Sequence, residues 1–160
     1  MNGKLLILGL GNTILTDDAA GIEAARQVSQ TVTTAGIAAD FAEASYAGWR
    51  LMELLDGYDR VVIIDSMISG KAAPGECCRV ETHKDISIHL QSSHGMGLEE
   101  SIALARQNGQ HMPRAITVYG IEVKNPYDFG EGMTPEVAAG IPAAVREISA
   151  EIVNAMQILN

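Results

Sequence analysis

Two adjacent acids, Asp17 and Asp18, follow the loop Gly9-Leu10-Gly11-Asn12, and a third, Asp65, follows the apolar run Val61-Val62-Ile63-Ile64. His94 stands among small residues in Ser92-Ser93-His94-Gly95, just ahead of a helical pattern carrying Leu98, Ile102 and Ala105. Two carboxylates and one imidazole, with coordination positions left open, suit a borderline divalent ion such as zinc, nickel, manganese or iron. They leave room for water or for ligands brought by a partner. A carboxylate pair sharing a proton, one acting as general base, is the other chemistry these residues offer. The spacing is not local as in H-E-x-x-H, so a site forms only if the fold gathers three separate loops.

Each residue also has a plainer reading. An Asp in the first turn of a helix commonly satisfies orphan N–H groups and matches the helix dipole. Capping is assigned to Asp17, and Asp18 projects into the site about 100° further round the helix. A phosphate cradle is disfavoured, because position 14 is Ile rather than the third glycine of G-x-G-x-x-G and two carboxylates at the helix mouth repel a pyrophosphate. His83 and His89 lie in polar loop sequence and His111 precedes Met112-Pro113, so all three read as solvated. The only cysteines, Cys77 and Cys78, are adjacent and point to opposite faces of a strand, which suits neither a zinc knuckle nor a C-x-x-C pair. They are placed away from the carboxyl edge of the sheet.

The elements that must position these groups alternate along the chain. Leu5-Leu6-Ile7-Leu8 is apolar without alternation, as in a strand buried on both faces, and Gly21, Ala25, Val28 and Val32 recur at helical spacing. Residues 37–44 form a second strand, 45–56 a loop and short helix, and 61–64 a third strand that Asp65 terminates. Residues 76–82 alternate as a strand nearer the sheet edge, and 115–123 form the last. Thr134-Pro135-Glu136 reads as an N-cap with proline at the first helical position, and Gly140-Ile141-Pro142 is expected to break or kink that helix. The order β-α-β-α-β-β-α-β-α implies an α/β three-layer sandwich: a mostly parallel, twisted sheet of about five strands with helices on both faces. Ligands of such sheets bind at the carboxyl edge.

The 160 residues suit a single domain that buries a core without disulfides or structural metal. With 11 basic and 20 acidic residues, the net charge of −9 steers the chain away from nucleic acid and anionic lipid. The apolar run at the start is too short to span a membrane and no signal peptide is recognised, so a cytoplasmic, reducing setting is expected.

The segments Gly9-Leu10-Gly11-Asn12-Thr13-Ile14-Leu15-Thr16-Asp17-Asp18-Ala19-Ala20-Gly21, Val62-Ile63-Ile64-Asp65, Ser93-His94-Gly95-Met96-Gly97-Leu98 and Gly130-Glu131-Gly132-Met133-Thr134-Pro135-Glu136-Val137 resemble, in this order, the hydrogenase maturation proteases. The resemblance implies an endopeptidase that removes the C-terminal extension of a nickel-iron hydrogenase large-subunit precursor after nickel insertion. It maps the metal-recognising groups to Asp18, Asp65 and His94, with Asp18 and Asp65 catalytic. The nickel then belongs to the substrate, and no permanently bound cofactor is implied. Where the family often has a D-G-G-T-A-G-like segment, this chain has Glu43-Ala44-Ser45-Tyr46-Ala47-Gly48-Trp49, so Tyr46 and Gly48 become candidate substrate contacts. A nickel-binding escort or sensor without peptidase activity is the main alternative. A peptidyl-tRNA hydrolase also resembles a chain opening with strand-G-L-G-N, but that pattern continues with Pro and Gly, and the acidic balance opposes a tRNA partner.

Overall fold

The computed structural model describes residues 3–46, 48–81, 89–90 and 96–159. Five strands form one sheet in the order β2-β1-β3-β5-β4. β1 (Leu5–Leu10) pairs in parallel with β2 (Asp40–Ala44) and with β3 (Arg60–Met67), and β3 pairs in parallel with β5 (Ala115–Glu122). β4 (Cys77–Val80) is the antiparallel edge strand beside β5.

Every residue of β1 is buried, as its unbroken apolar run predicts. Period-two geometry sends Leu5 and Ile7 to one face and Leu6, Leu8 and Leu10 to the other. The first face packs on α1 (Ala20–Thr34) and α4 (Pro135–Ile158), through Ala24, Val28, Val145 and Ile148. The second packs on α2 (Trp49–Leu55) and α3 (Leu98–Gln107), through Leu51, Leu55, Ile102 and Ala105. The result is a three-layer α/β sandwich.

Two expectations change. α4 runs through Pro142 as one helix. Pro142 lies on the exposed side while Val137, Ile141, Ala144 and Val145 bury the opposite stripe. The backbone bond that proline removes therefore faces water, and core burial holds the two halves in line. β3 does not end at Asp65, because Gly120, Ile121 and Glu122 of β5 continue the ladder opposite Asp65, Ser66 and Met67.

The topology fixes where a site can form. From β1 the chain turns outward through α1 to β2, then crosses back through α2 to β3 on the other side of β1. The connections leaving β1 and β3 diverge onto opposite faces, and the crevice between their carboxyl ends is the switch point at which such sheets bind ligands. At Gly21, α1 sits against this crevice. A Cβ there would lie 2.6 Å from the carbonyl oxygens of Leu10 and Ile64 and 2.9 Å from Cα of Asp65.

Candidate functional site

Asp18 and Asp65 meet at that switch point. The loop after β1 is folded tightly: Gly11 N–H donates to the Ala44 carbonyl, Asn12 Oδ1 accepts from Ile14 N–H at 3.2 Å, and Leu15 N–H donates to the Asn12 carbonyl. Gly11 is needed because a Cβ there would fall 2.1 Å from the Asp18 carbonyl oxygen. A 3-10 turn, Thr16–Ala19, then leads into α1 and buries both acids.

Asp17 and Asp18 diverge from that turn. Asp17 accepts from the backbone N–H groups of Lys124 at 3.1 Å and Asn125 at 2.8 Å, and from both N–H and hydroxyl of Thr134. It is a cap, as expected, but of another segment. Thr134 is the N-cap of α4, and Asp17 serves that distant helix start rather than its own turn, which has no side-chain cap. Asp18 instead faces the sheet.

Asp65 is fully buried, and its Oδ1 accepts from Ser66 N–H at 2.8 Å. Between the two carboxylates lies an imidazole, and it belongs to His89. Nδ1 is 2.7 Å from Asp65 Oδ1, Nε2 is 3.2 Å from Asp18 Oδ2, and the His89 backbone N–H donates to Asp65 Oδ2 at 2.8 Å. Burial alone would depress the basicity of this ring. The hydrogen bonds and negative charges of Asp18 and Asp65 outweigh it and push the His89 pKa up to about 10. At neutral pH His89 is an imidazolium, donating from both ring nitrogens to a carboxylate on either side.

His89 thus corrects the reading of it as a solvated loop histidine, since its side chain is only 16% exposed. His94, the expected third donor, lies outside the described residues. Among the described residues no three His, Cys, Asp or Glu side chains are arranged to hold a metal ion. One atom is left over: Asp18 Oδ1 is buried and has no hydrogen-bond partner among the described residues. An unpaired buried carboxylate oxygen is costly, and a cation or a donor brought to the site relieves that cost.

The other expected contacts lie to one side. Tyr46 lines a cleft of about 280 Å³ with Gly11, Asn12, Thr13 and Glu43, and the Arg50 guanidinium sits 4.6 Å from its ring centroid. Gly48 is the N-cap of α2, and Trp49, the first residue of that helix, is half exposed. A residue missed by pattern reading is Glu122, whose buried carboxylate accepts from Ser69 N–H, Ser69 Oγ and Gly70 N–H and so shapes the turn after β3.

The cysteines also lie elsewhere than expected. Because β4 runs antiparallel to β5, Cys78 pairs with Gly120, the residue that pairs with Asp65 on the other side. It therefore stands level with the site, two strands across, about 10 Å away in backbone terms. Its thiol contacts Met67 Sδ, and Cys77 packs against the α1/α4 core. Neither is directed at the carboxylates.

A sequence model of the hydrogenase maturation protease family matches residues 22–151. Hydrogenase 2 maturation protease of Escherichia coli strain K12 is 30% identical over 154 residues, covering 93% of this chain and 90% of that protein. Among solved structures, the nickel-iron hydrogenase maturation protease HybD of Thermococcus kodakarensis is 30% identical with a TM-score of 0.63, covering 93% of this chain and 98% of that one. The hydrogenase maturating endopeptidase HybD of E. coli shares the fold with a TM-score of 0.67 at 24% identity, over 95% of this chain and 93% of that one. With the carboxylate pair at the switch point of a sheet built like theirs, this chain is a peptide hydrolase and belongs to the hydrogenase maturation protease family.

Proposed function

We propose that the protein removes the C-terminal extension of a nickel-iron hydrogenase large-subunit precursor, and that it recognises the nickel already inserted in that substrate. The observation that carries this reading is the meeting of Asp18 and Asp65 at the switch point, with a buried Asp18 oxygen that has no partner among the described residues. In this reading Asp18, Asp65 and His94 contribute donors to the nickel of the bound precursor. His89 holds the two acids in register while the site is empty. No cofactor is permanently bound, although a carboxylate-rich site of this kind also accepts other divalent ions.

Peptide hydrolysis needs a polarised carbonyl and an activated water. The substrate's nickel supplies both if the scissile bond lies beside it; alternatively Asp18 or Asp65 takes the proton from water, as in aspartic-type peptidases. Tyr46, which lines the neighbouring cleft, and Gly48, at the start of α2, contact the precursor chain. A cytoplasmic setting is part of the same proposal. Among the described residues no helix is long and apolar enough to cross a membrane.

The test uses protein stripped of metal, mixed with precursor that either carries nickel or lacks it, with large-subunit mass as readout. Cleavage of the nickel-loaded form alone is the expected result. A requirement for metal bound to the protein itself would make it a resident-metal peptidase. Binding of the loaded precursor without cleavage would favour the escort reading.

A further inference from the structure

The loop from Lys124 to Thr134 joins β5 to α4, and the residues just ahead of Asp18 close it at three points. Asp17 ties down both ends through Lys124, Asn125 and Thr134. Thr16 holds the middle: its N–H donates to the Gly130 carbonyl at 3.0 Å and its hydroxyl to the Asp128 carbonyl at 2.7 Å. Gly130 N–H returns a bond to the Ile14 carbonyl, so that Leu15 and Gly130 form a parallel bridge. Within the loop Asn125 and Asp128 exchange two more hydrogen bonds. Thr16 itself sits at φ +45°, a conformation that costs a β-branched residue energy and persists because these bonds over-determine it.

A loop fixed so thoroughly could have turned its apolar side chains inward. It does the reverse: Tyr127 is 71% exposed and Phe129 83%, and Ile14, across the bridge, is 51% exposed. In a chain with only two Phe and four Tyr, leaving these in water forgoes the stabilisation that burying such large apolar side chains brings. Rigid, exposed aromatics are what interfaces use as anchors, because little conformational entropy remains to be lost on binding. Asp128 and Glu131 add an acidic rim.

We propose that Ile14, Tyr127 and Phe129 form a docking ridge for the body of the hydrogenase large-subunit precursor, meeting an apolar patch flanked by basic side chains. This rests on the processing reading above. The ridge is continuous with the site, since Thr16 and Asp17, which hold it, are followed directly by Asp18. Docking there registers the folded precursor against the carboxylates and leaves its extension to enter the crevice.

The experiment measures binding separately from cleavage. Protein with Asp18 intact, with and without the double change Tyr127→Ser and Phe129→Ser, is titrated with nickel-loaded precursor by rapid mixing, so that binding is read before cleavage, and cleavage is followed in parallel. Both positions are exposed, so the melting temperature should hold. The double change is expected to weaken the Kd at least about tenfold, with a matching rise in KM. An unchanged Kd overturns the ridge while wild-type cleavage still upholds the processing reading. Failure of the wild type to bind the precursor overturns both. A change in self-association on sedimentation, with precursor Kd unaltered, reassigns the ridge to contact between copies and also overturns the proposal.

Discussion

Asp17 and Thr134 lie 117 residues apart in sequence, yet the carboxylate of the first accepts the backbone N–H of the second at 2.6 Å and its hydroxyl at 2.9 Å. Two adjacent, chemically identical side chains therefore have separate tasks. Asp17 joins the first loop to the start of the last helix, and Asp18 is left for the site.

Asp17→Ala strands three backbone N–H groups and a hydroxyl in a part-buried position, and should cost on the order of 3 kcal/mol in chemical denaturation. Asp18→Asn should keep the melting temperature within a few degrees and lower precursor cleavage by roughly a hundredfold or more, as loss of a charged group acting on the transition state does. If Asp17→Asn abolished cleavage in a fully folded protein while Asp18→Asn did not, the two roles would have to be exchanged.

The histidines separate in the same way. His89→Ala removes the cation that occupies Asp18 and Asp65, so free nickel or zinc should bind the isolated protein more tightly, by roughly tenfold or about 1.4 kcal/mol. His94→Ala should instead weaken binding and stop cleavage. Isothermal titration with each variant decides the matter: weaker ion binding in His89→Ala would make that ring itself a ligand.

Stability should depend on pH through His89. Its pKa in the folded protein, about 10, lies above the ordinary 6.5, so folding takes up a proton that the unfolded chain releases more readily. The stabilisation is fully present below about pH 6.5 and is lost as pH rises through about 10. Denaturation midpoints for wild type should fall across that interval relative to His89→Ala. Parallel curves for the two proteins would show that the ring is not held as an imidazolium.

Thiol labelling should be uneven. Burial, with Glu147, Cys78 and Glu151 nearby, pushes the Cys77 thiol up to about 12, whereas Cys78 is exposed. One equivalent of iodoacetamide at neutral pH should modify Cys78 first, as peptide mapping would show, with Cys77 reacting only on unfolding. Cleavage should survive the first modification, since the Cys78 thiol is turned toward Met67 rather than the carboxylates.

Local patterns made the layers legible. The unbroken run in β1, the helical spacing of Ala25, Val28 and Val32, and Thr134-Pro135 at a helix start each express a preference of neighbouring residues, and each element stands where it was expected. That Asp18 and Asp65 come together was readable, because strand ends converge at the carboxyl edge whatever the rest of the chain does. His89 was not, because its partners are 24 residues away in β3 and further still beyond β1, and no periodicity marks such a contact. Cys78 was misplaced for a related reason: the direction of β4 is set by its pairing with β5, which four residues cannot announce. At Pro142 a local rule lost to burial on the other side of the helix.

The hydrogen atom that Gly21 carries in place of a methyl acts as a spacer gauge. It lets the first turn of α1 rest on the carbonyls of Leu10 and Ile64 and beside Asp65, and the turn bearing Asp18 comes down with it. The span between the two carboxylates is thus set by backbone seating, not by the length of the acidic side chains. A larger residue in this seat would lift that turn and part the two carboxylates without altering either of them.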